Sequence, residues 1–380
     1  MESSTKPPAI KQTNRIECID VFRGIAVALM LIADNPGNPL RVYPQLRHAT
    51  WDGWTVADLG FPFFIMIMGM VIPSSIDKRI NRGDNKLTIF RHIIKRSIVL
   101  FLIGLFLNGF PLFDLSIIRI PGVLQRIAIT YFFAGTIDLI IKPFIKKKYL
   151  HIFTEMGIAF FLIIIYFILL KFLQIPGYKD LVQYVDLLLF KGHLYTPDWD
   201  PEGLLSTIPA IASVIFGAIV GHIFQLKSTL IRKFQIIFIG GVIGILLAVI
   251  ADRWFPFNKN LWSSSFVLLT AGIANILISI IYFFVDIKNY KTLFKPLAIL
   301  GSNPIFVYVV SEIIRKTLWL IPIYDVVTGK SMELDLWITS RFFTPWAGNR
   351  LDSIYFSIFY TIVWIIVLKK FQKENIVIKL

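Results

Sequence analysis

One cysteine, Cys18, stands in a chain of 380 residues, so no internal disulfide forms and no thiolate set is available for zinc or an iron–sulfur cluster. Redox chemistry therefore has no support. Charge is scarce too: Asp, Glu, Lys and Arg make up 17% of the chain, where a soluble protein carries about 25% to solvate its surface. The sequence also shows no Walker-type loop, no GxSxG elbow and no metal-ligand cluster. ATP hydrolysis, serine hydrolysis and metal hydrolysis lose their usual signatures with them, and no metal is expected. Disordered, collagen-like, coiled-coil and disulfide-scaffold classes are excluded by the same composition.

What the chain has instead is apolar surface. Hydrophobic residues are 56% of the total, and the mean hydropathy is +0.69. That composition describes an all-α polytopic membrane bundle. A crossing needs about 20 mostly apolar residues, because a helix rises about 1.5 Å per residue through about 30 Å of hydrocarbon. Ten such segments are centred on residues 21–32, 61–76, 97–113, 123–141, 152–173, 204–224, 234–250, 266–285, 297–320 and 354–368. The first follows a polar stretch without a small-residue cleavage site, so it reads as a retained span.

The balance of 39 Lys and Arg against 24 Asp and Glu gives a net charge of +15. In this setting the excess reports topology, since basic loops stay in the cytoplasm, and nucleic acid is not expected as a partner. Alternate loops carry the bias: residues 77–96, 142–148, 227–233, 288–295 and both tails are the basic set. Both termini are therefore expected in the cytoplasm, with residues 1–15 as a polar tail. Residues 174–203 and 322–350 form longer outer loops, and the whole of 1–380 reads as one integral membrane domain. A homodimer is compatible with such a chain.

Polar groups placed where lipid makes them expensive mark the candidate site. Asp20 and Arg23 share one helical face near the cytoplasmic end of the first span. They suit either an internal ion pair or a contact to an anionic ligand. His48 lies between Arg47 and the Trp51–Trp54 pair in an outer loop, and Asp58 follows about a turn inside the second span. A carboxylate there can orient an imidazole for acid–base work. Gln125 and Arg126 sit inside the fourth span, where the guanidinium needs a partner or a cavity. Pro304, in Gly301-Ser302-Asn303-Pro304, breaks the ninth span and frees backbone groups of the kind that line cavities. Glu202 and the Asn258-Lys259-Asn260-Leu261-Trp262 block lie at outer span ends. These residues describe an outward polar pocket that fits a transporter or an enzyme equally.

With these motifs the chain resembles the family of heparan-α-glucosaminide N-acetyltransferase and its bacterial relatives, which are transmembrane acyltransferases. Ile19 to Gly24, Asn35-Pro36-Gly37, Leu46 to Leu59 with Phe61-Pro62-Phe63-Phe64, and Gly122 to Arg126 carry the resemblance. Asp200 to Ile208, Phe257 to Ser263 and Gly301 to Pro304 extend it over nearly the full length. The resemblance implies acetyl transfer from cytoplasmic acetyl-CoA, the donor substrate, to the amine of a glucosamine-type sugar across a bacterial inner membrane. It makes His48 the catalytic histidine and Asn35 its catalytic neighbour; Asp58 joins them as the carboxylate placed to orient the imidazole. Gln125 and Arg126 would line the acyl-CoA site, and apart from the resemblance Arg23, at the basic face an anionic coenzyme enters, and Asn303 at the broken span are expected to help hold it. Glu202, Asn258, Asn260 and Trp262 are the expected sugar contacts. O-acetylation of a cell-envelope glycan and sugar or anion transport remain the alternatives.

Overall fold

The structure, a computed structural model, describes residues 16–145, 147–325, 329–349, 351–374 and 376. The polar tail 1–15 and residues 326–328 and 350 of the second long outer loop lie outside the described residues. Helices dominate, as the composition requires. The long ones are α1 (Glu17–Asp34), α2 (Gly60–Ile80), α3 (Lys86–Gly109), α4 (Val123–Phe144) and α5 (Lys148–Phe172). After the short α6 (Leu181–Phe190) come α7 (Thr207–Phe224), α8 (Leu230–Asp252) and α9 (Ser264–Tyr282). The chain continues through α10 (Lys291–Leu300) and α11 (Pro304–Trp319) into a hairpin of β1 (Pro322–Asp325) and β2 (Lys330–Glu333). Two short helices, α12 (Leu334–Ile338) and α13 (Thr344–Ala347), lead to the last long one, α14 (Asp352–Lys373). The hairpin is antiparallel, with Pro322 opposite Glu333.

All ten expected segments centre on helices. Among the described residues seven helices are long and apolar enough to cross a membrane, and α10 with α11, bent by 54°, makes an eighth where the pair counts as one span. The two remaining segments belong to more charged helices: α1 carries Glu17, Asp20, Arg23 and Asp34, and the first half of α3 carries Lys86, Arg91, Lys95 and Arg96. Starts are fixed by side chains that satisfy orphan backbone N–H groups, as when Asn85 accepts from Thr88 N at 2.8 Å and Ser263 accepts from Phe266 N at 3.3 Å.

α2 and α7 are buried nearly all round and form the middle of the bundle. By contrast α8 turns Ile239, Ile243, Leu246 and Ile250 outward, and each of these is at least half exposed. A stripe of that kind is costly in water and ordinary against lipid. Cross-links between helix ends gather the basic loops at one end of the bundle. Lys142 pairs with Asp77, Lys148 donates to Gln225 at 2.9 Å, and Lys291 donates to Glu17 at 2.8 Å.

The break in the ninth span is where Gly301 and Pro304 put it, and packing pins it to α1. A Cβ on Gly24 would stand 1.9 Å from Leu297 O, and one on Gly301 would stand 2.1 Å from Asp20 O. Only glycine permits backbones that close. The approach sets Arg23 of α1 beside the start of α11.

Candidate active site

The geometry around His48 begins with a helix cap. Thr55 and Asp58 close a capping box at the entry to α2, in which Asp58 Oδ2 accepts from Thr55 N at 3.0 Å and from Thr55 Oγ1 at 3.1 Å. The same oxygen accepts from Ala49 N at 3.1 Å, which folds the preceding loop back over the cap. Asp58 Oδ1 is left to face His48 Nδ1 at 2.8 Å. An ionised carboxylate only accepts, so Nδ1 carries the proton and Nε2 is the ring nitrogen available for chemistry. Asp58 is fully buried, whereas the His48 side chain is 43% exposed. The arrangement is a fixed carboxylate holding an accessible imidazole.

Two further groups complete the setting. Asp34, the last residue of α1, places Oδ1 3.5 Å from His48 Nε2. Lys259 brings Nζ to 3.0 Å from His48 Nδ1, 3.4 Å from His48 Nε2 and 3.4 Å from Asp58 Oδ1. Burial and the Lys259 charge push the imidazole pKa down, but the hydrogen bonds with Asp34 and Asp58 outweigh them and hold it above the usual value near 6.5. Asp34 itself is fixed through its backbone carbonyl, which accepts from Arg315 Nη1 at 2.8 Å. Arg315 pairs in turn with Glu312 at 2.8 Å.

Asn35 is buried next door with its side chain directed to the helix end: Nδ2 donates to Leu31 O at 3.1 Å, and the Asn35 carbonyl accepts from Ser357 Oγ at 2.8 Å. The residue facing the imidazole from this segment is thus its predecessor. Asp34 and Lys259 were missing from the sequence-based site, although each adjoins a residue in it.

The Asn258 block docks on the His48 loop. Gly53 N donates to Phe257 O at 2.7 Å, Asn258 Nδ2 to Asp52 Oδ1 at 3.1 Å, and Asn260 Nδ2 to Thr50 O at 3.4 Å. Asn258 Oδ1 also accepts from Leu261 N at 2.8 Å, so its side chain shapes the turn that presents Lys259. Trp262 is wholly buried, donating from Nε1 to Ser213 Oγ at 3.2 Å, with Phe61 and Phe266 edge-on to it. Arg126 stacks on this indole, 4.9 Å from its centroid, and donates to Ser206 Oγ and to Gly203 O. Its Nε and Nη1, and Nε2 of neighbouring Gln125, are buried without hydrogen-bond partners among the described residues. Glu202 and Asp200 both pair with Arg119, which anchors the loop before α7.

The other end of the site is a cavity of about 250 Å³ between α1, α2, α3, α4 and the broken span. Arg23, Arg96 and Asn303 line it together with Phe64, Ile67 and Met68. It therefore unites two of the expected coenzyme residues, Arg23 and Asn303, with Arg96 from the basic segment 77–96. Arg23 Nη1 sits 3.2 Å from Asp20 Oδ1 and 3.3 Å from Gly301 O, and the Arg96 guanidinium lies 4.8 Å over the Tyr131 ring. Cations at the edge of an apolar slot suit an anion with an apolar arm. Arg126 reaches a different environment, between the α7 start and Trp262, and the Gln125 side chain packs against Gly104 of α3 and Gly122. Phe64 and Asp58 share one continuous helical stretch, six residues or about 9 Å apart along its axis.

Residues 15–127 match a family described as "Domain of unknown function (DUF5009)". Two curated relatives cover far more of the chain. A heparan-alpha-glucosaminide N-acetyltransferase from Mus musculus is 33% identical across 80% of this chain and 54% of the relative. The protein of that name from Homo sapiens is 31% identical across 80% of this chain and 53% of its own length. The chain spans about half the length of these relatives. The resemblance drawn from the motifs and the all-α membrane architecture are both borne out.

Proposed function

We propose that this homologue of heparan-alpha-glucosaminide N-acetyltransferases is itself a membrane N-acetyltransferase. It would take acetyl from acetyl-CoA on the basic, cytoplasmic side and deliver it to the amine of a glucosamine-type sugar on the opposite side. The observation that carries the reading is His48, gripped at Nδ1 by the buried Asp58 carboxylate 2.8 Å away, with Nε2 facing Asp34 and Lys259 on a partly exposed ring. Support for the cytoplasmic assignment comes from the Lys and Arg bias of the loops at that end. The cavity with Arg23, Arg96 and Asn303 opens a slot on the same helices, and its two guanidiniums suit the anionic end of the coenzyme. Bound acetyl-CoA would supply an activated acetyl thioester; an uncharged amine attacks its carbonyl, the C–N bond replaces the C–S bond, and CoA leaves as a thiolate that takes up a proton.

The chain's own residues divide the remaining work. Asp34, on the Nε2 side of the imidazole, attracts a sugar ammonium and favours an amine over a neutral hydroxyl as acceptor. His48 Nε2 removes the proton that blocks the amine, and the resulting imidazolium is stabilised by Asp58 and Asp34. The Lys259 ammonium stands where it can offset negative charge developing on an acyl oxygen. The same Nε2 is the nucleophile if acetyl passes through an acetyl-imidazole, so both routes use one geometry.

The test is transfer of label from acetyl-CoA to glucosamine by the purified chain in detergent, comparing wild type with Arg23→Ala. The expected outcome is an amide product, with KM for acetyl-CoA raised about tenfold in the variant while kcat stays within about twofold. Base-labile product would mean O-acetylation. An unchanged KM would leave Arg23 as a structural contact to Asp20 and Gly301.

A further inference from the structure

The sequence offers no metal-ligand spacing beyond His151 and Glu155, one turn apart, yet the fold assembles a four-residue constellation at the basic end of the bundle. Asp138 comes from α4, His151 and Glu155 from α5, and His222 from α7, and one ligand atom from each lies within 4.8 Å of all the others. All four residues are 0 to 3% exposed.

The distances have a particular pattern. Asp138 Oδ1 is 2.9 Å from His151 Nε2 and 3.0 Å from His222 Nε2, and Glu155 Oε1 is 3.5 and 3.6 Å from the same nitrogens. A tetrahedral zinc ion with nitrogen and oxygen ligands about 2.0 to 2.1 Å away has ligand-to-ligand edges of about 3.3 Å, in the middle of this set. Hydrogen bonding alone satisfies the cluster poorly. Only His222 is aligned to bond Asp138, while His151 Nε2, Asp138 Oδ2 and Glu155 Oε2 are buried without a hydrogen-bond partner. Among the described residues the ion-pair partners of these two carboxylates are the two histidines. With neutral imidazoles that leaves two buried negative charges, the sum that a divalent cation cancels.

We propose that Asp138, His151, Glu155 and His222 form a structural site for a divalent transition metal of the zinc type, fastening α4, α5 and α7 together. Four protein ligands and near-complete burial describe a closed site with no position left for substrate, which separates it from the acetyl-transfer chemistry. Metal binding at that place stabilises the folded bundle, because the ligands come together only in it.

The full chain, purified in detergent without chelator and with any histidine tag removed, is incubated with Zn²⁺ alone, gel-filtered and assayed for metal by mass spectrometry. About one zinc per chain is expected, with stripping by a chelator lowering the thermal midpoint by roughly 5 °C or more. His151→Gln with His222→Gln should abolish both the metal and the chelator response. Metal well below one per chain in monodisperse wild type, or equal metal in the double variant, overturns the proposal. If the double variant does not fold, X-ray absorption of the zinc-loaded wild type decides. Scattering from two imidazoles upholds the site, and its absence overturns it.

Discussion

Replacing His48 with alanine is expected to lower kcat/KM for acetyl transfer by about 10² to 10⁴, the range a positioned general base contributes. The loss falls on chemistry rather than on folding. His48 is 43% exposed at its side chain and packs no core, so its removal leaves the cap at Thr55 and Asp58 in place. The thermal midpoint of the variant should stay close to that of wild type while product formation collapses. Turnover of His48→Ala at the wild-type rate would eliminate the base and the acetyl-imidazole route together, since both act at Nε2.

Asp58→Asn is expected to be nearly as severe, at about 10³ to 10⁴ in kcat/KM, for a different reason. The amide is isosteric, but its NH₂ turned toward Nδ1 favours the tautomer with the proton on Nε2, and the reacting nitrogen then loses its lone pair. The pH profile distinguishes this from structural damage. Asp58 and Asp34 raise the His48 pKa by stabilising the imidazolium, so the neutral, active imidazole is lost as pH falls through a value above 6.5. Without the Asp58 charge the imidazolium is less stable and the pKa drops. The acid limb of kcat/KM against pH should move to lower pH in whatever activity remains, whereas a variant that is simply misfolded keeps the wild-type limb at reduced height.

How much of this was legible beforehand depends on which signals are local. Spans follow from runs of apolar residues, and the 54° bend at Gly301 to Pro304 follows from residues that cannot continue a helix. The link between His48 and Asp58 was within reach as well, because both belong to one short loop closed by a capping box. Long-range partners were not. Asp34 looks in sequence like the polar end of a turn beside Asn35, and only the return of the loop after α1 brings it to His48. Lys259 reads as one more outer basic residue until the Asn258 turn docks on Asp52 and swings it over the imidazole. Trp262 has the composition of an interface anchor, yet a left-handed backbone at φ 51° turns it inward to stack under Arg126. The Asp138 cluster spans 84 residues from its first member to its last, beyond the reach of any spacing rule.

The central claim is that one chain passes acetyl across the membrane, from a coenzyme on the basic face to an amine on the His48 face. Proteoliposomes of known orientation test it directly, with labelled acetyl-CoA confined to the side bearing the basic loops and glucosamine supplied only on the other. Labelled N-acetylglucosamine accumulating on the glucosamine side, and absent with His48→Ala, is the expected result. Product formed only when both substrates share one side would contradict transmembrane transfer.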